Sequence, residues 1–173
     1  MLSKRIEEAL NKQVAIEAQS SHVYLTMASW VEAAGYEGAT NFLYQHADEE
    51  RQHMLKLVHF INERGGKAII PALEQAKIDY SNLTEVFQRI LDHEVWVTQT
   101  INELVHICLE ERDYTTHNFL QWYVSEQIEE EALARAIMDK LALIGNDKGG
   151  MYLFDRDIAS MVVTSAAAPG AAQ

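Results

Sequence analysis

Cysteine, proline and basic charge are scarce in this chain, and each scarcity closes off a class of protein. The single cysteine, Cys108, excludes an internal disulfide and any CxxC metal knuckle. It points to a reducing cytoplasm. Only two prolines occur, Pro71 and Pro169, and both lie outside the periodic segments, so nothing interrupts long helices. No apolar run reaches the roughly 18 residues of a membrane-spanning helix, so no membrane partner is expected. Met1 to Glu8 turns acidic at once and lacks the apolar stretch of a signal peptide. Fourteen lysines and arginines stand against 26 aspartates and glutamates, a net charge of −12. Such a balance argues against a nucleic-acid partner, which needs a basic face, and fits attraction of cations. A solvated acidic surface gives the same count.

What is present is hydrophobic residues at helical period. They make up 48% of 173 residues, enough for one globular domain with a substantial core. Four long segments are periodic: about 3–34, 38–64, 82–112 and 116–144, the last preceded by a short turn at 113–115. Gly35, Gly65-Gly66 and Gly145-Asn146 are their stops, and Ser3, Ser81 or Asn82, and Asp113 are candidate caps. A long connection over 67–82 contains Pro71 and little periodicity. A short fifth amphipathic helix is predicted from Met151 to about Val163. The fold class expected is all-α, with a domain over 1–163. The tail, 164–173, has nothing to bury and is expected to be disordered.

Each long helix carries a stripe of apolar residues at alternating steps of four and three, the pattern of near-parallel bundle packing. Short turns make two antiparallel hairpins. A helix of 27 residues is about 40 Å long, and the 67–82 connection can span that length, so helices 2 and 3 can run parallel. Polar residues interrupt every stripe near its middle. The first half supplies Glu17, Glu50 and His53. The second supplies Glu94, Gln127 and Glu130, each 77 positions after its counterpart. Antiparallel packing brings all six to one level. Buried carboxylates are costly without a counter-charge, so the pattern predicts a two-metal site between four helices.

Oxygen ligands with one imidazole and no thiolate suit iron or manganese, and zinc less well. Glu50 and His53 are three apart and share a helix face, so they can hold one metal with Glu17 while Glu50 bridges to a second. Glu94 and Glu130 serve that second position, which lacks a histidine and should bind more weakly. Gln127 either binds weakly or hydrogen-bonds a bound water or peroxide. This arrangement is close to the carboxylate-bridged bundles built from Glu and Glu-x-x-His helices.

These residues resemble those of bacterial non-haem ferritins over nearly the whole chain. The resemblance rests on Glu17, Tyr24, the run from His46 to His53 (HADEERQH), Glu94, and the run from Asn118 to Gln127 (NFLQWYVSEQ) followed by Glu129-Glu130. It implies a ferritin-like four-helix bundle with a long crossover between helices 2 and 3 and a short fifth helix. It implies a cytoplasmic cage of twenty-four like subunits that takes up Fe(II), oxidises it with oxygen or hydrogen peroxide, and stores ferric mineral. The implied ferroxidase site is Glu17, Glu50 and His53 at one iron and Glu50, Glu94 and Glu130 at the other, with Glu49, Glu126 and Glu129 at a third position nearby. Helix spacing places these last three beside the main stripe, where ordinary solvated acids would also stand.

The chain departs from related families at informative places. Bacterioferritins carry a second Glu-x-x-His where this chain has Gln127 and Glu130. Their haem-binding methionine falls at Gln52, so no haem is expected. Rubrerythrins add a cysteine-rich iron domain that one cysteine cannot supply. The stretch Thr116-His117-Asn118 stands where many ferritins have an acidic three-fold channel, which leaves the iron route open. Tyr24 reads either as an electron donor or hydrogen-bond partner at the iron site, or as a core tyrosine. Trp122 reads as a redox neighbour or as packing, and His46 as a core or surface histidine. The alternatives to storage are a di-iron or di-manganese oxidase or peroxidase on the same bundle, and a non-catalytic structural metal bundle.

Overall fold

The structure, a computed structural model, describes residues 1–161. Five helices form: α1 (Lys4–Ala33), α2 (Glu37–Glu63), α3 (Leu83–Glu110), α4 (Tyr114–Ile144) and α5 (Lys148–Ile158). There is no strand among the described residues, and no helix there is long and apolar enough to cross a membrane. Local chemistry sets the boundaries. The side chains of Ser3, Asn82, Asp113 and Asp147 each accept a backbone N–H three residues on, which starts α1, α3, α4 and α5. Glycines at positive φ close α1 and α2, whereas α3 is closed by Arg112 at φ 57°, a conformation most side chains avoid.

The fifth helix differs from expectation. It begins at Lys148, not Met151, because Asp147 caps it and draws Gly149 and Gly150 into its first turn. It ends at Ile158, where Ala159 is the C-cap. Phe154 and Ile158 are buried in this chain's own core, while Tyr152 and Leu153 stay exposed. The expected tail lies outside the described residues.

The helices form a four-helix bundle with α5 against one end. α1 packs on α2 and on α3, α3 packs on α4, and α5 touches α2 and α4. An Arg5–Glu110 ion pair of 2.6 Å joins the start of α1 to the end of α3, so those helices are antiparallel. The long connection climbs the outside of α1. Asn11 donates to the Lys67 carbonyl and accepts from the Ile69 N–H, and Gln19 does the same with the carbonyl and N–H of Glu74. Two amide side chains thus pair with extended backbone that has no strand partner. The climb ends where Tyr80 meets Trp30 edge-on, centroids 5.4 Å apart, so α3 starts beside the end of α1 and runs parallel to α2.

The core is in two parts. One apolar cluster includes Met27, Val31, Leu43, Phe87, Ile137 and Phe154. The other includes Leu10, Val14, Leu57, Ile101, Leu120 and Tyr123. Each fully buried aliphatic side chain contributes about 1.5–3 kcal/mol. In all four helices the polar layer falls between the residues of these two clusters, and the apolar packing on either side holds it in register.

Candidate metal centre

Glu17 on α1 and Glu50 and His53 on α2 come together as the spacing predicts. Their ligand atoms all lie within 4.8 Å of one another, and the residues are 2%, 5% and 7% exposed. His53 Nδ1 is 3.6 Å from a Glu50 oxygen. The imidazole meets the Trp122 ring edge-on at 5.1 Å, and the Tyr123 hydroxyl donates to the His53 carbonyl at 2.8 Å. Gln13, one turn before Glu17, donates to Glu17 Oε1 at 2.8 Å and accepts from Thr100 of α3. Gln13 went unnoticed in the sequence, although its position four before Glu17 puts it on the same buried face.

On the α3–α4 side, Glu94, Gln127 and Glu130 are also buried. The Tyr24 hydroxyl donates to Glu94 Oε1 at 2.7 Å, and Gln127 Nε2 donates to Glu94 Oε2 at 3.1 Å and to the Glu94 carbonyl at 3.2 Å. Both groups therefore orient a carboxylate, and each Glu94 oxygen keeps a further lone pair for a cation. Thr98 joins this set as an acceptor from Gln127 and donates to Glu131.

The expected third trio does not close on itself. Among the described residues a second three-residue set within 4.8 Å is His46, Glu49 and Glu130. Glu126, with Glu49, His53, Lys56 and Trp122, lines a groove of about 460 Å³ between α2 and α4. These helices stand further apart than the other neighbouring pairs. Glu129 Oε2 is buried without a partner.

The electrostatics are those of a site short of positive charge. Burial raises the carboxyl pKa values of Glu17, Glu50 and Glu130 well above the ordinary range. Neighbouring carboxylates push the same way: Glu50 acts on Glu17, and Glu94 acts on both Glu50 and Glu130. Burial also raises Glu126. Burial, with Glu94 beside it, raises the Tyr24 phenol, which stays a neutral donor. Among the described residues no lysine or arginine lies within 4.0 Å of Glu17, Glu50, Glu94 or Glu130; the only basic partners are His53 and His46. A buried carboxylate layer with no cation of its own, and with a groove leading to one side of it, is suited to divalent metal ions.

Comparison with known proteins agrees. The ferritin-like domain profile matches residues 7–144. A probable bacterial non-haem ferritin-like protein of Haemophilus influenzae is 45% identical over 93% of this chain and 98% of its own length. The bacterial non-haem ferritin of Campylobacter jejuni is 42% identical over 95% and 98%. An open-pore ferritin from the archaeon Archaeoglobus fulgidus superposes with a TM-score of 0.91 at 39% identity, covering 94% of this chain and all of that one. Family profile, near full-length relatives and superposed fold coincide on the bundle that carries the carboxylate layer, and the chain belongs to the ferritin family, among its bacterial non-haem members.

Proposed function

We infer that this protein stores iron, and that it does so by oxidising Fe(II) at the intra-subunit layer and holding ferric mineral within a cage. The observation that carries the reading is the layer itself: four carboxylates, each at most 5% exposed, without a lysine or arginine partner. Iron is the substrate. Glu17, Glu50 and His53 bind one Fe(II), and Glu50, Glu94 and Glu130 the other. Tyr24 and Gln127 hold Glu94 in place. Each iron gives one electron to a shared oxidant. A pair of Fe(II) ions with dioxygen and two protons yields a pair of Fe(III) ions and hydrogen peroxide, and with hydrogen peroxide and two protons it yields two waters. Carboxylates favour this direction because they stabilise the higher charge. Glu49, Glu126 and Glu129, which do not converge on one point here, pass the product onward from the layer. The cage is a homo-oligomer of twenty-four subunits in the cytoplasm.

The test is anaerobic Fe(II) loading of the full-length apo-protein, followed by oxygen, at increasing iron per subunit. Fast oxidation of two irons per subunit and then soluble mineral growth are expected. Glu50→Ala and His53→Ala should each slow the fast phase by more than the roughly 10–100-fold that losing an outer-shell partner costs. Binding without oxidation leaves a structural metal bundle. Oxidation without mineral favours the di-iron or di-manganese oxidase.

A further inference from the structure

The second metal position has no imidazole in the Gln127-x-x-Glu130 pattern, yet the fold delivers one from another helix. His46 of α2 is 2% exposed. Its Nδ1 lies 3.0 Å from the carbonyl of Phe42, one turn back. A carbonyl only accepts, so the ring proton is on Nδ1 and Nε2 carries the lone pair. That Nε2 is buried and has no hydrogen-bond partner. A buried acceptor left unpaired is costly. The atom it faces is Glu130 Oε2, at 3.8 Å. Two ligands each about 2.1 Å from one metal lie roughly 3.0–4.2 Å apart, depending on the angle between them, so this separation is that of a ligand pair. The ring cannot easily turn away: Phe42 stacks on it with centroids 4.0 Å apart, and Tyr24 lies near-parallel at 5.8 Å. Glu49, one turn further along α2, has an oxygen 3.8 Å from Nδ1.

We propose that His46 Nε2, Glu130 and Glu49 together bind a divalent metal ion, so that the α4 side of the layer has a nitrogen ligand as the α1 side has in His53. As a ligand the His46 imidazole must be neutral, with the lone pair on Nε2 and the proton on Nδ1. Its Nδ1–H hydrogen bond to a carbonyl is the usual outer-shell support of a metal-bound histidine. The position joins the expected second and third iron sites, since Glu130 belongs to one and Glu49 to the other. An imidazole there makes that position more receptive to borderline ions such as zinc than carboxylates alone would. The proposal rests on the ferroxidase reading only in sharing Glu130 and Glu49 with it.

The experiment is cobalt K-edge X-ray absorption on the full-length assembled apo-protein, loaded with Co(II) to the capacity of its layer. Imidazole gives outer-shell scattering that carboxylate and carboxamide do not. The scattering per subunit should fall by half in His46→Gln, by half in His53→Gln, and almost to nothing in the double variant. If His46→Gln leaves it unchanged while His53→Gln removes it, the proposal is overturned and the ferroxidase site stands. If neither variant changes it, or the wild type takes up no Co(II), both readings fall. Should His46→Gln fail to assemble, His46→Phe keeps a ring between Phe42 and Tyr24, and the same loss by half is expected.

Discussion

Glu17 and Glu50 act in opposite directions with and without metal. Without it, burial lifts both carboxyl pKa values above their unfolded values near 4.5, and the neighbouring carboxylates of Glu50 at Glu17 and of Glu94 at Glu50 add to the rise. The folded state then binds more protons than the unfolded one. Its advantage is complete below about pH 4.5 and is lost as pH rises through the raised values. Metal-free Glu50→Gln should therefore be more stable than wild type at neutral pH, by on the order of 1–3 kcal/mol, with a flatter pH dependence. Guanidinium midpoints measured with chelator from pH 4.5 to 8 check this, and parallel profiles for the two proteins would sink it. Glu50 and His53 could be read from sequence because a three-residue step fixes a shared helix face. Gln13, one turn from Glu17 on the same face, was within reach of the same spacing argument, whereas Thr98 was not, because its partners Gln127 and Glu131 stand on another helix. His46 reads from sequence as a core or surface histidine, and its significance lies in a lone pair that only the Phe42 carbonyl and the Glu130 carboxylate reveal.

At the level of elements, the helix boundaries followed from caps and glycines, which are local signals. The attachment of α5 did not. Tyr36 stands at the N-cap of α2 and contributes no side-chain hydrogen bond. The missing cap comes from Asp155 of α5, whose Oδ1 accepts from the Ala39 N–H at 2.9 Å. Gly38 permits the approach: a Cβ there would sit 1.6 Å from the Asp155 carbonyl oxygen. A residue 116 positions away caps the helix, and no local pattern announces it. Asp155→Ala should cost about 0.5–2 kcal/mol as a lost cap. Gly38→Ala should cost at least as much, because backbone must move. Both should raise amide exchange in α5 and the first turn of α2. The fast oxidation phase should be spared, since the carboxylate layer begins more than two turns further along α2. Unchanged exchange in α5 would show that Asp155 does not hold it.

Across the whole molecule, two apolar clusters enclose a layer that carries more negative charge than its surroundings neutralise. The bundle and its crossover were legible because four-three periodicity and a connection of sufficient length leave few alternatives. The depth of the charge deficit was not, since it depends on which cations fail to reach the layer. On the proposed metal-binding reading, that deficit makes metal part of the stability of the fold. A ligand that binds only the folded state adds about 2.7 kcal/mol at a free concentration a hundredfold above its Kd. Zinc, which cannot be oxidised, should therefore raise the melting temperature of the apo-protein. The gain should grow from pH 5 to 7, because metal displaces protons from Glu17, Glu50 and Glu130, and those protons are held more weakly as pH rises. Glu50→Gln should lose most of the gain, although it starts from the more stable apo-protein. The two proteins should then exchange rank when zinc is added: the variant melts higher without metal and the wild type melts higher with it. A single stabilising hydrogen-bonded layer, complete without metal, would give the same rank in both conditions, so the inversion separates a metal site from a satisfied polar layer without any iron chemistry.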